Sequence, residues 1–312
     1  MTGPSTPAVV EVQWEHVHSC PLCGSERLRP WRSRCRDASA LVARTLDYVA
    51  CADCGSPPMS PRPTNATVGA LYGATYAPYV HRRANAAILV GGAGDESPLK
   101  AKLSAAYLDG PIGRSVLDFG CGTSDFLDAA REAGWRTVGC DFSAHGVEST
   151  RAAGHETRVV TDSFWDWFGA ERFDAIRLNH VIEHQHHPGA QLNKLMQSLE
   201  PGGLLHIVTP NPDGAACRFF RRSSLFFEAV HLTLLPPAAL TRSAVSAGAK
   251  DVVIVDEHGS KDLWRSWQLS RRRASNYTHA EQEPQRAWQR RALRILARFT
   301  ARPDRYHAFI RA

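Results

Sequence analysis

No apolar run in this 312-residue sequence approaches the roughly 18 residues that a membrane-spanning helix requires. The first residues also lack the basic start and the apolar stretch of a secretory signal peptide. With 43% apolar and 22% charged residues, the composition is that of an ordinary soluble globular protein. A chain of this length buries a core without disulfides. These absences exclude a membrane span and predict a cytoplasmic protein.

The sequence also has no strong excess of one charge, with 37 basic against 31 acidic residues and a formal net charge of +6. The basic excess gathers near the C-terminus. There, apolar residues interspersed among arginines predict an amphipathic helix: Trp288, Leu293, Ile295, Leu296 and Phe299. Such a helix either docks on the core or meets anionic lipid or a carrier-linked substrate. A solvated arginine-rich face is the ordinary alternative.

Four of the eight cysteines stand in two CxxC pairs, each followed by a glycine: Cys20, Cys23, Cys51 and Cys54. Each pair forms a tight knuckle that directs two thiolates at one ion, and two knuckles complete a tetrahedral site. In a cytosolic protein this pattern favours zinc over disulfides. Four sulfur ligands leave no open position, so the predicted zinc is structural. The alternative is four reduced, buried cysteines.

Changes in composition and the positions of turn-forming residues divide the chain into four segments. They are a zinc-binding module (1–62), a helical linker or cap (63–111), a main domain (112–258) and a basic extension (259–312). A proline-rich connector ends the first segment. Tyrosines at helical spacing in the second either cover one end of a ligand pocket or pack against the main domain: Tyr72, Tyr76 and Tyr79.

From residue 115 onward, short β-type runs alternate with helical runs. This alternation predicts an α/β fold, with a Rossmann-like, doubly wound and mostly parallel sheet. The right-handed crossovers of such a sheet place functional loops at the carboxyl ends of its strands. The region after about residue 259 is predicted to be a helical, basic tail.

The stretch "VLDFGCGTSDFL" reads as a strand, a glycine-rich turn and a helix, the setting of a nucleotide-binding turn. Asp141 ends the next strand, where an acid bonds ribose hydroxyls. Both features also occur in NAD-binding proteins. However, Asp118 precedes Gly120 and Gly122 in the order DxGxG, where a dinucleotide fold has GxGxxG. A carboxylate there suits a cationic ligand better than a pyrophosphate, which favours S-adenosylmethionine.

The segments "VLDFGCGTSDFL", "VGCDFS", "VVTDSF", "NHVIEHQHHPG" and "LEPGGLLHIVTPN" follow the order of class I S-adenosylmethionine-dependent methyltransferases, which the chain resembles over roughly residues 112–256. The last two segments resemble the subgroup related to ubiquinone-biosynthesis O-methyltransferases. The cysteine module joined to such a domain resembles zinc-containing bacterial members of that group.

The resemblance implies a cofactor-binding set at the ends of the first four strands: Asp118, Gly120 and Gly122 at the methionine end, Asp141 at the ribose, Phe142, Asp162 and Ser163 around the adenine, and Asn179 below the transferring methyl group. The sequence departs from the family at Ser124, which replaces the usual final glycine. A serine is small enough to be tolerated there and to donate to the cofactor carboxylate.

Transfer of a methyl group to a hydroxyl benefits from a general base, and histidine titrates in the useful range. His184 and His180 are candidate bases in the segment "NHVIEHQHHPG", and His231 is a third. A structural or cofactor-loop role for Glu183 and His184 stays open, as does a divalent metal at these two residues. Packing near the pocket mouth is the alternative for His231.

The sequence therefore predicts a methyltransferase that uses S-adenosylmethionine and acts on a small-molecule, sugar or natural-product acceptor, with oxygen as the favoured acceptor atom. One alternative is an RNA-modifying methyltransferase. Against nucleic acid as a partner, the chain lacks the interleaved aromatic and basic residues of a recognised RNA module. Another alternative is a non-catalytic scaffold with a vestigial cofactor site. Peripheral membrane contact through the basic tail stays open, and the sequence leaves the oligomeric state undetermined.

Overall fold

The computed structural model describes residues 11–72, 106–107, 113–122, 124–257, 261–271 and 303–312. Most of the predicted linker over 63–111 lies outside these residues, as does the amphipathic helix predicted around Trp288. Among the helices of the described part, none has the length and apolar character to cross a membrane.

The N-terminal segment consists of two small antiparallel pairs and one helical turn. The elements are β1 (Trp14–Glu15), β2 (Leu28–Cys35), β3 (Leu46–Cys51), β4 (Arg62–Pro63) and α1 (Asn65–Val68). Strand β1 pairs with β4, and β2 forms a hairpin with β3. The hairpin spans the interval between the two CxxC pairs, which is how this long interval is accommodated.

The main domain is built on a seven-stranded sheet. Its strands are β5 (Ser115–Phe119), β6 (Arg136–Asp141), β7 (Glu156–Val159), β8 (Phe173–Asn179), β9 (Leu199–Pro210), β10 (Asp251–Glu257) and β11 (Arg305–Arg311). Their order across the sheet is β10-β11-β9-β8-β5-β6-β7. The five strands from β7 to β9 pair in parallel, whereas β11 is antiparallel to both of its neighbours. The predicted doubly wound, mostly parallel sheet is confirmed.

Helices cover both faces of the sheet. The helices of the main domain are α2 (Asp125–Glu132), α3 (Ala144–Ala152), α4 (Asp162–Ala170), α5 (Pro188–Gln197), α6 (Ala215–Phe220), α7 (Pro237–Ser246) and α8 (Lys261–Arg271). Of these, α6 and α8 pack with the β2–β3 hairpin in a separate core. On one face α2 and α3 pack in a core that includes Val116 and Phe126, and on the other α4, α5 and α7 pack in a core that includes Leu117. Alternate residues of β5 thus enter opposite cores, as a strand's period of two requires.

The strand order reverses between β5 and β8. The chain runs from β5 outward through β6 and β7, then crosses back to β8 and continues outward to β9. In open α/β sheets the crevice at such a switch point, at the carboxyl ends of the strands, is where ligands bind. The fold therefore brings the glycine turn after β5 and the histidine-rich segment after β8 to one site.

The sheet continues beyond the predicted domain boundary at residue 258. Strand β11, the last in the chain, inserts between β9 and β10, and its Tyr306 is fully buried with the hydroxyl donating to the Leu235 carbonyl (2.9 Å). The sequence predicts a helical, basic extension over 259–312, whereas residues 305–311 form this strand. A seven-residue strand whose partners lie about 50 and 100 positions earlier has no local signal that identifies it.

Asp304, just before β11, is buried and accepts a hydrogen bond from the Ala216 amide (2.6 Å). Burial raises the pKa of Asp304 to about 7, although the Ala216 amide opposes the rise. Because the folded-state pKa lies above the unfolded value of about 3.9, the folded form holds the proton more tightly. The contribution of Asp304 to the free energy of unfolding is therefore lost as the pH rises from about 4 through 7.

We expect D304N to remove this loss while keeping an acceptor for Ala216. The melting temperature of D304N minus that of the wild type should increase between pH 5 and pH 7 and stay level above about pH 8. Differential scanning fluorimetry across this range measures it, with the exposed Asp256→Asn as the control. A constant difference across the range would show that Asp304 is ionised throughout.

Candidate active site

The glycine-rich turn follows strand β5, and at Gly120 it leaves no room for a side chain. Gly120 and Gly122 have positive φ angles, +79° and +52°, which glycine adopts without strain. A Cβ atom on Gly120 would overlap the side chain of Val181, which follows β8. The amides of Gly120 and Cys121 both donate to the Cys140 carbonyl at the end of β6 (2.7 and 2.9 Å). The turn is therefore a fixed backbone surface on which a ligand can lie.

Asp141, the last residue of β6, connects this turn to the next helix. Its carboxylate is buried and accepts hydrogen bonds from the amides of Gly122 (3.1 Å) and Ser143 (2.9 Å). A Cβ on Gly146 would lie only 2.7 Å from Cγ of Asp141, so a glycine at this position lets α3 approach the carboxylate. The acid is thus held at the carboxyl end of its strand, beside the glycine turn, where ribose hydroxyls are recognised in this type of sheet.

Three predicted adenine-binding residues are accessible on the same side. Phe142 is 47% exposed, and its ring packs edge-on against Phe119 with centroids 5.8 Å apart. Exposure of a large aromatic ring beside a buried carboxylate leaves one of its faces available for stacking. Asp162 and Ser163 begin α4 after β7, and both are exposed.

Asp118 is held by a cation of the protein itself. It lies opposite Arg177 of β8 in the sheet register, and the Arg177 guanidinium donates to its carboxylate (2.9 Å). Both side chains are buried, and the guanidinium also lies over the ring of Phe126 (4.2 Å). The order DxGxG in the sequence predicts a cationic ligand for this carboxylate. Because Arg177 already balances it, the charge of Asp118 does not identify the ligand.

Ser124 is also engaged within the protein. Its hydroxyl donates to the Asp128 carboxylate one helical turn later (2.6 Å), and the same carboxylate lies 2.9 Å from Nε2 of His155. The serine is accommodated at the start of α2, as predicted, but its hydroxyl is directed along the helix. Donation to a cofactor carboxylate would require a different side-chain rotamer.

At the end of β8, buried Asn179 is followed by His180, a non-glycine residue with a positive φ of 57°. Nδ1 of His180 lies 3.1 Å from the Glu183 carboxylate, and Nε2 lies 3.1 Å from the Arg305 guanidinium of β11. The other carboxylate oxygen of Glu183 accepts from the Thr209 hydroxyl (2.9 Å). Both ring nitrogens of His180 are therefore engaged, which suits a positioning residue better than a proton acceptor.

Glu183 is fully buried yet ionised. Burial by itself would raise the pKa of Glu183, but the hydrogen bond with His180 and the proximity of His184 and His231 lower it to about 2. A negative charge is thus fixed beneath two histidine side chains. A buried negative charge stabilises a cation beside it, which here is either a protonated histidine or a bound metal ion.

His184 and His231 come together from distant parts of the chain. Their ring centroids lie 5.0 Å apart, and Nδ1 of His184 lies 2.8 Å from the Tyr72 hydroxyl. Nδ1 of the buried His231 donates to the Phe226 carbonyl (2.9 Å), which leaves Nε2 as its basic nitrogen. That Nε2 lies 3.7 Å from the Glu228 carboxyl, whose pKa is raised by burial.

Three residues of the site were missed in the sequence: Arg177, Arg305 and Glu228. Arg177 and Arg305 lie on strands whose partners are set by sheet register, which local sequence does not reveal. Glu228 had a weak signal, since it stands three residues before His231. The sequence leaves Tyr72 either at one end of a ligand pocket or packed against the main domain, and its hydroxyl contacts His184, a candidate catalytic residue.

The four paired cysteines form one cluster in the N-terminal module. Sγ of Cys20 lies 3.5 Å from that of Cys54, and Sγ of Cys23 lies 3.6 Å from that of Cys51. All four sulfurs lie within 4.8 Å of one another. In a tetrahedral zinc site with Zn–S bonds of about 2.3 Å, the sulfurs are about 3.8 Å apart. The donor set and its spacing therefore fit a structural zinc ion.

The cysteine cluster is joined to the main domain at the start of α5. The Gly189 amide donates to the Pro21 carbonyl (3.3 Å), and a Cβ on Gly189 would overlap the Leu22 carbonyl oxygen. The Arg242 guanidinium of α7 donates to the Cys54 carbonyl (2.6 Å). Both knuckles thus contact the helices that cover the sheet, close to the segment that carries His184.

The sheet is doubly wound, with one antiparallel strand inserted near its edge. A glycine turn follows its first parallel strand, and an acid ends the second. Together these features define a Rossmann-like methyltransferase fold. A family model described as a methyltransferase domain matches residues 91–254. This match covers more than half of the chain, and the chain belongs to that family. Its fold and family are those of S-adenosylmethionine-dependent methyltransferases.

Curated relatives carry the name ubiquinone biosynthesis O-methyltransferase. The protein from Bradyrhizobium sp. (strain ORS 278) is 28% identical over 121 residues, which cover 38% of this chain and 48% of the relative. That from Chelativorans sp. (strain BNC1) is 32% identical over 104 residues, 32% of this chain and 41% of the relative. The chain thus spans about half the length of the curated relatives it matches. A SAM-dependent methyltransferase from Archaeoglobus fulgidus is 17% identical, with a TM-score of 0.48, and covers 70% of this chain and 95% of its own.

Proposed function

We propose that this protein transfers the methyl group of S-adenosylmethionine to an oxygen atom of a small-molecule or sugar acceptor. One observation carries the proposal. At the switch point of the sheet, the glycine turn and the buried Asp141 lie on the same edge as a cluster of titratable groups that includes residues after β8. The O-methyltransferase names of the curated relatives support oxygen as the acceptor atom.

In this proposal Asp141 accepts hydrogen bonds from the ribose hydroxyls of the cofactor, and Phe142 stacks on its adenine. Asp162 and Ser163 bond the adenine edge. The glycine turn supports the methionine end, and Asn179 lies below the methyl group. Two observations support these roles: the ring of Phe142 is exposed, and the carboxylate of Asp141 is fixed by the Gly122 amide.

The reaction is an in-line displacement in which the protein mainly holds three atoms in line. The acceptor oxygen bonds the methyl carbon, the carbon–sulfur bond breaks, and its electron pair stays on sulfur. The acceptor proton must leave, which is the task of the cluster formed by His184 and His231. His231 is the better-defined base because its Nδ1 already donates to a carbonyl. His180 holds Glu183 in place instead.

The zinc ion proposed for the four cysteines is structural. It would hold the two knuckles against α5 and α7 and would supply no chemistry to methyl transfer. Small-molecule acceptors are favoured over nucleic acid, because the sequence lacks the interleaved aromatic and basic residues of a recognised RNA module.

We expect H231Q and H184Q to bind S-adenosylmethionine with an unchanged Kd but to lose about 100-fold or more in turnover, because proton removal contributes factors of this size. Isothermal titration calorimetry measures the Kd. Transfer of a labelled methyl group to a panel of phenols and sugars measures turnover. The neighbouring exposed His187→Asn is the matched control. If the wild type fails to bind S-adenosylmethionine, the proposed function is wrong; if it binds and both variants turn over normally, the assignment of the base is wrong.

A further inference from the structure

Arg305, the first residue of β11, links the last strand of the chain to the active site. Its Nη1 lies 3.1 Å from Nε2 of His180, and its Nη2 donates to Oδ1 of Asp262 (2.7 Å). The Nε atom of Arg305 lies 2.7 Å from the other oxygen of Asp262, so the carboxylate engages the guanidinium at two atoms. Asp262 is buried near the start of α8. The guanidinium therefore bridges α8 and the segment that follows β8.

We propose that Asp262 and Arg305 are positioning residues of the active site. Together they fix the tautomer of His180, and through it the charge and orientation of the Glu183 carboxylate. The inference rests on the proposed function, because Glu183 lies beneath the histidines that take up the acceptor proton there. It gives the C-terminal strand and α8 a part in that reaction.

The donors and acceptors in this chain of contacts fix where the His180 proton lies. Arginine offers N–H donors and no acceptor, so Nε2 of His180 must accept from Arg305. The ring of a neutral histidine then carries its proton on Nδ1, which donates to Oε1 of Glu183 (3.1 Å). With the proton on Nε2 instead, two N–H groups would face each other at 3.1 Å. Arg305 thus selects the Nδ1–H tautomer of His180, and Glu183 is left as an acceptor.

The charge of Arg305 also keeps His180 neutral. Burial alone would lower the pKa of Arg305, but the Asp262 carboxylate and that of Glu257, its partner across to β10, raise it. A guanidinium that stays charged disfavours a second proton on the imidazole that it bonds. His180 can therefore hold Glu183 through a hydrogen bond without cancelling its negative charge, which stays available to the neighbouring histidines.

His180 depends on contacts with other strands to keep its conformation. Its φ angle of 57° lies in the left-handed region, which a non-glycine residue occupies only where the surrounding structure holds it. Among the contacts that hold it are the hydrogen bond from its amide to the Val208 carbonyl (2.9 Å) and the two ring contacts with Glu183 and Arg305. Loss of Arg305 removes the contact at Nε2 and frees the imidazole to rotate away from Glu183.

The orientation of Glu183 matters because its carboxylate is held at both oxygens. Oε1 accepts from His180, and Oε2 accepts from the Thr209 hydroxyl (2.9 Å). These bonds direct a fixed negative charge at His184 and His231, each of which has a ring nitrogen within 4.8 Å of a Glu183 oxygen. A carboxylate so placed stabilises the imidazolium that forms when a histidine takes up the acceptor proton. Disturbing this arrangement should therefore slow proton removal without weakening the cofactor site.

The test uses the full-length protein with both members of the pair replaced, Asp262→Asn with Arg305→Met, since a buried charge left alone would be destabilising by itself. Turnover in the labelled-methyl assay should fall by about 10-fold or more, a part of the factor that a general base supplies, while the Kd for S-adenosylmethionine stays the same. Nuclear magnetic resonance of ¹⁵N-labelled histidine reports the tautomer directly. In the wild type Nδ1 of His180 should carry the proton, whereas in the variant both tautomers should appear and Nε2 should take up a proton at a higher pH.

Arg311→Gln, at the other end of β11, is the matched control. Arg311 donates to the backbone carbonyls of Gly202 (3.4 Å) and Ala106 (2.8 Å), so its loss should alter neither turnover nor the tautomer of His180. If thermal melting shows that the first double variant is unfolded, D262N/R305Q replaces it, because two neutral amides can bond each other in place of the ion pair. The signals of His180 are identified by their loss in H180Q.

Unchanged turnover in a folded double variant, or an unchanged tautomer of His180 there, overturns the positioning role. A wild type in which Nε2 of His180 carries the proton at neutral pH also overturns it, while leaving the proposed methyl transfer intact. Conversely, the absence of S-adenosylmethionine binding by the wild type ends the proposed function, although the tautomer of His180 would still be measured. The two failures are thus distinguishable.

Discussion

The double variant Cys20→Ser/Cys54→Ser should lose about one equivalent of bound zinc and melt at a temperature lower by on the order of 10 °C or more. Structural zinc sites contribute on the order of 10 kcal/mol to folding, and each kcal/mol moves the midpoint of a domain this size by about 2–4 °C. Cys20 and Cys54 belong to the same buried cluster as the core beneath α5, so the effect should extend beyond the module.

Hydrogen bonds to the backbone carbonyls of the two knuckles connect the zinc site to the active site, so we expect loss of zinc to disturb the active-site residues as well. The Gly189 amide and the Arg242 guanidinium bond the backbone of the module at Pro21 and Cys54. Relaxation of the knuckles removes these contacts at the start of α5, a few residues after His184. We therefore expect weaker methyl transfer in the same variant even at temperatures where it stays folded.

Metal analysis by mass spectrometry and thermal melting test this prediction. Cys217→Ser is the control, because Cys217 is buried outside the module and its contact with the Ser224 hydroxyl (3.4 Å) can be kept by serine. The wild type should carry about one zinc per chain when purified without chelator. Less than about half an equivalent, or equal zinc in the double variant and in the control, would contradict a structural zinc at these cysteines.

The second large effect is expected at Asp141, which we propose bonds the ribose of the cofactor. Asp141→Ala should weaken S-adenosylmethionine binding by at least about 100-fold. Hydrogen bonds to a charged acceptor contribute about 1.5–3 kcal/mol each, and two ribose hydroxyls would lose theirs. The variant also leaves the Gly122 and Ser143 amides without their acceptor, which loosens the turn.

Asp141→Asn should give an intermediate Kd, because one carbonyl oxygen remains at the same place. The exposed Asp166→Asn on α4 serves as the control for a lost carboxylate. Calorimetry with S-adenosylmethionine and with NAD measures the outcome. If D141A binds S-adenosylmethionine as tightly as D166N does, Asp141 does not hold the ribose. Binding of NAD by the wild type would show that the cofactor class was misidentified.

Several features were predictable because their signals are local. The alternation of strand and helix patterns predicted the doubly wound sheet, which the structure confirms. The glycines of "DFGCG" predicted a tight turn, and both adopt positive φ there. The two CxxC pairs predicted one cluster, and the four sulfurs do converge. In each case a few neighbouring residues impose the backbone shape or the periodicity.

Other features depend on which strands become neighbours. Asp118 suggested a cationic ligand until the register of β5 and β8 placed Arg177 opposite it. His180 looked like a base until β11 brought Arg305 to its second ring nitrogen. These contacts join residues separated by about 60 and 125 positions, a distance over which sequence pattern carries no information about pairing.

The sequence by itself determined the class of fold, the position of the glycine-rich turn and the composition of the cysteine cluster, because periodicity and backbone conformation are properties of short stretches. Only the tertiary structure decided that the last strand completes the sheet and that His231 meets His184 and Glu183. The reason is that chain-distant groups meet through burial and sheet register, which are set when the whole core packs.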